Sequence, residues 1–328
     1  CRGWLVGEKH KGLAYMFQMM NESRLGVGLG ATSIASAAYY AALDYTRGRK
    51  QGRKPGQKDP SSPMVPIIEH ADVKRMLLFQ RAVTEGALSL IMQCYLYADL
   101  ERVTEGDEKE RYHLLLELLT PIAKTFPSEY GILAASQSIQ CFGGYGYCDD
   151  FPVEQLYRDA RIHPIHEGTT AIQGMDLLGR KVTMNNGKAY TLFVTEVKKA
   201  MEQAGAWPDL ARYAWSLGSS LETLETVTRH LLGVAADSGT EIFLADAVLY
   251  LDMFGLVAVS WQWLVQALAA KKALAGTGSK KDQDFYEGKI FAFRYFLGYE
   301  LPRVHALAER LMARDPVTCE CLPAHFND

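Results

Sequence analysis

The sequence predicts an all-α fold: a long-helix, up-and-down bundle followed by a second, smaller helical bundle. Apolar residues recur at spacings of three and four over long stretches, strand-like alternation is scarce, and the glycine-bearing segments fall between the periodic stretches. With 328 residues, 48% of them hydrophobic and 22% charged, the chain can bury a sizeable core.

Periodicity predicts a first helix from near Glu8 to Tyr45, a second from Ile67 to Glu101 and a third from Lys109 to Gln140. At ~1.5 Å per residue each is long enough to cross a large bundle. Within the first, Gly26-x-Gly28-x-Gly30 has the spacing of part of a dinucleotide fingerprint. No strand precedes it and the pattern around it is helical, so close helix packing is expected instead.

Gly143-Gly144-Tyr145-Gly146 cannot continue a helix cheaply and should form a loop. Asp150 and Pro152 then open a short helix with Glu154 early and Arg158 and Arg161 late, the polarity a helix dipole favours, and Pro164 ends it. After the connection 163–168, Thr169 or Thr170 is placed to cap a helix running to about Val182, which puts Glu167 on a loop between two helices. The polar segment Met184–Lys188 is the expected boundary between a first domain, 1–183, and a second, 184–328. Four more helices are expected, at roughly 190–203, 207–236, 241–275 and 282–314. Trp261, Trp263 and the aromatic cluster at 285–299 suit core or interface positions.

Composition narrows the function classes. A net charge of −3, from 35 basic and 38 acidic residues, gives no overall field toward nucleic acid or an anionic membrane. The basic run Arg47, Arg49, Lys50, Arg53 and Lys54 lacks interleaved aromatics, so no nucleic-acid partner is expected. No disulfide framework is expected of six cysteines, with Cys94 and Cys141 among apolar neighbours, and Cys319-x-Cys321 lacks the further ligands a metal site needs. No uninterrupted apolar run of bilayer-spanning length is read, the first residues lack the pattern of a signal peptide, and the chain reads as if entered in its middle.

The segment Gln137 to Gln173 strings a glycine-rich loop, a charged helix and a Glu-Gly-Thr-Thr loop together, more glycine beside more charge than a structural connector needs. Gln140-Cys141-Phe142-Gly143-Gly144-Tyr145-Gly146-Tyr147, Pro152-Val153-Glu154, Arg158-Asp159-Ala160-Arg161 and Glu167-Gly168-Thr169 with Ile172-Gln173 resemble, in order and spacing, the signature of acyl-CoA dehydrogenases. The likeness extends upstream through Asn21-Glu22-Ser23-Arg24-Leu25 and Tyr45 to Gln51, covering about residues 1–182. The helices after 184 resemble the C-terminal extension of a larger bacterial subgroup of that family.

The resemblance implies an FAD enzyme that converts an acyl-CoA to its trans-2-enoyl-CoA. Glu167 would be the base for the α-proton, and its N–H one of two donors to the enolate oxygen, the other being a ribityl hydroxyl of the flavin. A base for so weak an acid gains strength from desolvation, and the enolate needs preorganised donors. Relatives that carry the base on the first long helix have it where this chain has Ser23, which cannot serve. By the same likeness Asn21, Arg24, Gly168 and Arg180 are substrate-side residues. Arg49, Gln140, Gly143 and Gly144 reach a flavin held mostly by a neighbouring subunit, and Thr169 and Thr170 contact the cofactor within the subunit that supplies the base. The partners implied are electron-transfer flavoprotein and further copies of the chain, as a homodimer or homotetramer, in a bacterial cytoplasm.

The sequence departs from the family pattern where Arg49-Lys50-Gln51-Gly52 lacks a Phe, a longer Pro/Lys/Ser loop runs to Pro66, Ala71 beside His70 replaces a Gln, and His166 replaces the aromatic before the base. The family's N-terminal helical and central β domains are absent from this sequence, so the chain alone is expected to bind FAD weakly or not at all and to be inactive. The alternatives are an acyl-CoA oxidase and a non-catalytic helical module descended from the enzyme.

Overall fold

The computed structural model describes residues 1–57, 59, 61–276, 278–313 and 315–327, with the side chains of all but 17 and 18. Residues 58 and 60 of the loop before Pro66, 277 of the segment 276–281, and 314, the expected end of the last helix, lie outside the described residues. Among the described residues there is no named strand, only an isolated antiparallel bridge between Lys50 and Pro66 that closes the loop inserted there.

Three long antiparallel helices form the first layer: α1 (Gly12–Gly48), α2 (Ala71–Val103) and α3 (Gly106–Phe142). The first starts later than expected because His10 sits at φ 67°, a left-handed backbone that a helix cannot include. The second starts at Ala71 because Ile67–Glu69 make a separate 3₁₀ turn before an extended His70. Two prolines lie inside α3, and Pro127 has no N–H for the carbonyl four residues earlier, that of Ala123. Gly28 of α1 packs against that same carbonyl: a Cβ there would sit 2.1 Å from the Ala123 oxygen. The glycine repeat is therefore a packing device at Gly28, as expected.

Next come α4 (Val153–Ala160) and α5 (Thr170–Asp176), the latter running into a π-helical turn at Leu177–Lys181. Thr169 occupies the cap position of α5 without a side-chain cap bond, and the Thr170 hydroxyl donates to Glu129 instead, so neither threonine caps the helix through its side chain. The segment expected as a linker is a tight left-handed turn, Asn185, Asn186 and Gly187 having φ of 49°, 55° and 79°, inside the element α6 (Met184–Ala204).

The extension continues with α7 (Pro208–Ser238), α8 (Thr240–Leu244), α9 (Ala247–Leu274), α10 (Lys280–Tyr295) and α11 (Arg303–Met312). Each of the last two expected helices is thus split. One breaks before Ala247, and the other at a π-helical turn, Phe296–Glu300, ahead of Pro302. By length and composition α9 could cross a membrane, contrary to the expectation of no such run, yet 78% of its most apolar window is buried in the protein.

One apolar core spans both segments, with α9 at its centre. Trp263, fully buried, donates from Nε1 to the Ala82 carbonyl at 2.9 Å, and Ser89 bonds Gln262 at 2.8 Å, tying α9 to α2. Trp261, Phe293, Tyr295 and Phe296 are buried as expected, whereas Phe285, Phe291 and Tyr299 are exposed.

Candidate functional site

The loop between α4 and α5 carries Glu167. It is wound by short-range bonds, from the His166 N–H to the Ile162 carbonyl at 3.2 Å and from the Thr170 N–H to the Pro164 carbonyl at 3.1 Å. Glu167 has φ 53° and Gly168 φ 87°, so a non-glycine residue sits in the left-handed region at the tip. That conformation costs roughly 1–2 kcal/mol for an L residue. Two side chains hold it. Lys124 of α3, fully buried, donates from Nζ to the carbonyls of His163 at 2.7 Å and Gly168 at 2.8 Å. Gln173 of α5, also fully buried, donates to the Glu167 carbonyl at 3.2 Å and that of Gly168 at 3.4 Å.

Glu167 is half-buried, and its backbone N–H donates to no other described residue. Burial pulls the Lys124 ammonium down to about 8, against the opposing charges of Glu129 and Glu167 and with the help of Arg24. Sequence reasoning passed over Lys124, although the signal was there: it is the one charge in the run Leu118-Leu119-Thr120-Pro121-Ile122-Ala123-Lys124-Thr125-Phe126. His166 is exposed beside the buried His163, ring to ring at 5.5 Å.

Asn21, Arg24 and Arg180 come together in a second group, built on Asp176. Arg24 is only 5% exposed and pairs with Asp176 at 3.0 Å, while Arg180 grips the other oxygen of the same carboxylate at 2.8 Å through Nε. Asn21 accepts from Arg24 at 3.4 Å and donates to Glu117 at 2.9 Å, and Glu117 in turn pairs with the buried Lys181. Burial alone would raise the Asp176 carboxyl, but the hydrogen bond from Arg180 and the charges of Lys181, Arg180 and Arg24 bring it below its ordinary range. Arg24 is therefore no ordinary surface partner of a glutamate. Arg180 alone of these three presents most of its side chain to solvent, at 64%.

The third group is an open cleft of about 850 Å³ whose walls include Arg49, Gln140, Gly143 and Gly144, together with Tyr45, His70 and Tyr145. Arg49 lies over the Tyr145 ring at 5.9 Å and forms no ion pair with a described residue. At Gly143 and Gly144 an added Cβ would meet nothing within 4 Å, so the backbone there is open to an approaching group. His70 turns its Nε2 to the Gln51 carbonyl at 2.8 Å, filling the cleft wall where the sequence departs from the family pattern. The Glu167 loop does not line this cleft.

Thr170 instead borders a smaller cavity of about 410 Å³ between α3, α9 and α11. Its wall holds a chain invisible in the sequence, in which Tyr130 donates to Asp252 at 2.8 Å and Arg303 donates to Tyr130 at 2.8 Å. Burial raises the Asp252 carboxyl, with the Tyr130 bond and Arg303 opposing.

Residues 10–182 match the family model "Acyl-CoA dehydrogenase, C-terminal domain", and residues 193–321 match "Acetyl-CoA dehydrogenase C-terminal like". A 3-methylmercaptopropionyl-CoA dehydrogenase of Ruegeria pomeroyi is 38% identical over 291 residues, 88% of this chain and 48% of the relative. A butyryl-CoA dehydrogenase of Syntrophomonas wolfei is 33% identical over 96% of this chain and 52% of the relative. Among solved structures, Caenorhabditis elegans ACDH-11 in complex with C11-CoA superposes with a TM-score of 0.74 at 20% identity, covering 94% of this chain and 49% of that one. An acyl-CoA dehydrogenase from Bacillus anthracis complexed with FAD gives 0.68 at 21% identity, covering 93% and 50%. The chain thus spans about half the length of the relatives it matches.

Proposed function

The chain belongs to the acyl-CoA dehydrogenase family, and on that premise we propose that it is the helical part of an enzyme that α,β-dehydrogenates acyl-CoA thioesters, with Glu167 as the base. The observation that carries the reading is the Glu167 tip itself. Glu167, half-buried, stands on a clamped left-handed turn, and its own N–H donates to no other described residue.

In this reading the Cα–H bond of the thioester breaks, the proton passes to a Glu167 carboxylate oxygen, and charge develops on the thioester oxygen. A donor fixed beforehand stabilises that charge more than a mobile one, because no reorganisation is needed as it forms. The Glu167 N–H, next to Gly168, is such a donor. Bound FAD supplies the acceptor for the hydride that leaves Cβ.

The cleft residues fit that cofactor. Arg49, which forms no ion pair with a described residue, offers a guanidinium fork to a diphosphate, and Gly143 and Gly144 let backbone come close. Gln140 would add an amide, and Thr169 and Thr170 would approach from the base's side. On the substrate side, Arg24 orders Asp176, Asp176 orients Arg180, and Arg180 presents the charge that an anionic CoA would meet.

Because the chain covers about half of its relatives, the test uses the full-length enzyme. Flavin bleaching by a panel of acyl-CoAs is followed without oxygen for the parent and for Glu167→Gln. Loss of a general base should slow bleaching by about 10²–10⁴-fold. Equal rates would remove Glu167 from the mechanism.

A further inference from the structure

We infer that Lys124 is the positioning residue of the base: its buried ammonium, bound to the carbonyls of His163 and Gly168, fixes the left-handed turn that carries the Glu167 carboxylate and N–H. The inference rests on the reading of Glu167 as the base. Lys124 itself touches neither reacting atom and takes no proton from substrate.

Burying an ammonium is unfavourable unless its donors are engaged. Here two of its three N–H groups go to carbonyls at the two ends of one short loop, 163 and 168. A lysine that merely filled core volume would need no such pair, since a methionine would fill the same space without a charge. Both Lys124 contacts and both Gln173 contacts fall on carbonyls of this loop, so its polar backbone is gathered toward the protein interior.

Peptide planarity converts this into orientation. In a trans peptide the N–H points opposite to the C=O. Drawing the Glu167 and Gly168 carbonyls inward turns the N–H groups of Gly168 and Thr169 to the other side of the loop, and fixes the Glu167 backbone from which its side chain projects. Glu167 at φ 53° would relax toward an ordinary backbone without that restraint. Gly168 has no Cβ because one would lie 2.5 Å from the Gln173 amide nitrogen, so clamp and turn fit each other closely.

The first test needs no cofactor or activity. Amide hydrogen exchange is compared between this chain and Lys124→Met, which keeps the length of the side chain and removes its donors. Exchange across residues 163–170 should rise by at least about tenfold while the core of α2 and α9 stays protected. Unchanged loop protection in a folded Lys124→Met chain would overturn the inference. Should that variant not fold, ¹⁵N-lysine-labelled wild type should show one ammonium signal with slowly exchanging protons close to the Gly168 α-protons, and finding none would also overturn it.

The second test uses the full-length flavoenzyme. Misaiming the base should lower the rate of flavin reduction per flavin-loaded site by about 10²-fold with little change in substrate affinity. A purely structural lysine would instead lower the folded fraction and leave that rate intact. Glu167→Gln serves as the separating control: it should keep the loop protected while slowing reduction by about 10²–10⁴-fold. If Glu167→Gln stays active while Lys124→Met loosens the loop, the assignment of the base fails and the clamp stands.

Discussion

The Glu167 loop, proposed to carry the base of its own subunit, and the Arg49 cleft, proposed to reach the flavin of a neighbouring subunit, are treated by the protein in opposite ways. The loop is restrained from beneath by two fully buried side chains that hold its carbonyls. The cleft is open, its guanidinium forming no ion pair with a described residue and its glycines facing free space. Proton abstraction depends on direction as well as distance, so its carboxylate is preorganised within the chain. Anion recognition by a charged fork tolerates more freedom, and its geometry can be completed when the anion arrives.

The sharpest way to break this contrast is one substitution made in both halves. Gly168→Ala must accept φ 87° and a contact at 2.5 Å from Gln173, so it should destabilise the chain by about 2 kcal/mol or more, read from denaturant unfolding. Gly143→Ala, at φ 62° with nothing within 4 Å, should lose only about 1–2 kcal/mol from backbone strain. Equal costs would mean that the loop is no more tightly held than the cleft.

Between these in effect lies Arg49→Ala, expected to weaken FAD binding by the full-length enzyme about tenfold to a hundredfold, the scale of a charged hydrogen bond. It should leave the unfolding of the chain unchanged. A destabilised variant with intact FAD affinity would show the cleft to be structural.

The gentlest test is pH. The Lys124 ammonium is lowered in the folded chain from its ordinary 10.5 to about 8, so between those values the unfolded chain binds more protons than the folded one. Stability from this group is therefore greatest above pH 10.5 and is lost as pH falls through about 8. The stability difference between wild type and Lys124→Met should grow from pH 8 toward 10.5, with Glu129, Arg24 and Glu167 as the charges that set the lysine's field. A flat difference would mean that Lys124 is more hydrated than its place in the core requires.

Much of this was legible from the chain itself. The long helices follow from a three-and-four periodicity, which is a local property and survives any tertiary arrangement. Glycine breaks were equally local, since backbone freedom resides in the residue, whereas the segment expected as a linker at 184–188 holds a left-handed turn at 185–187. Grouping was less legible. Arg49, Gln140, Gly143 and Gly144 share one cleft, Thr170 borders another cavity, and Arg24 is turned into the protein.

The sequence by itself therefore determined the fold class, the family and the position of Glu167 on a loop, all of which depend on residue type and near-neighbour spacing. Tertiary structure alone decided what holds that loop. Lys124 lies 43 positions before Glu167 and Gln173 six after it, and no periodicity marks either as a partner of the His163 and Gly168 carbonyls. Their role arises where α3 and α5 close on the loop, because a buried donor takes whichever carbonyl the packing brings within reach.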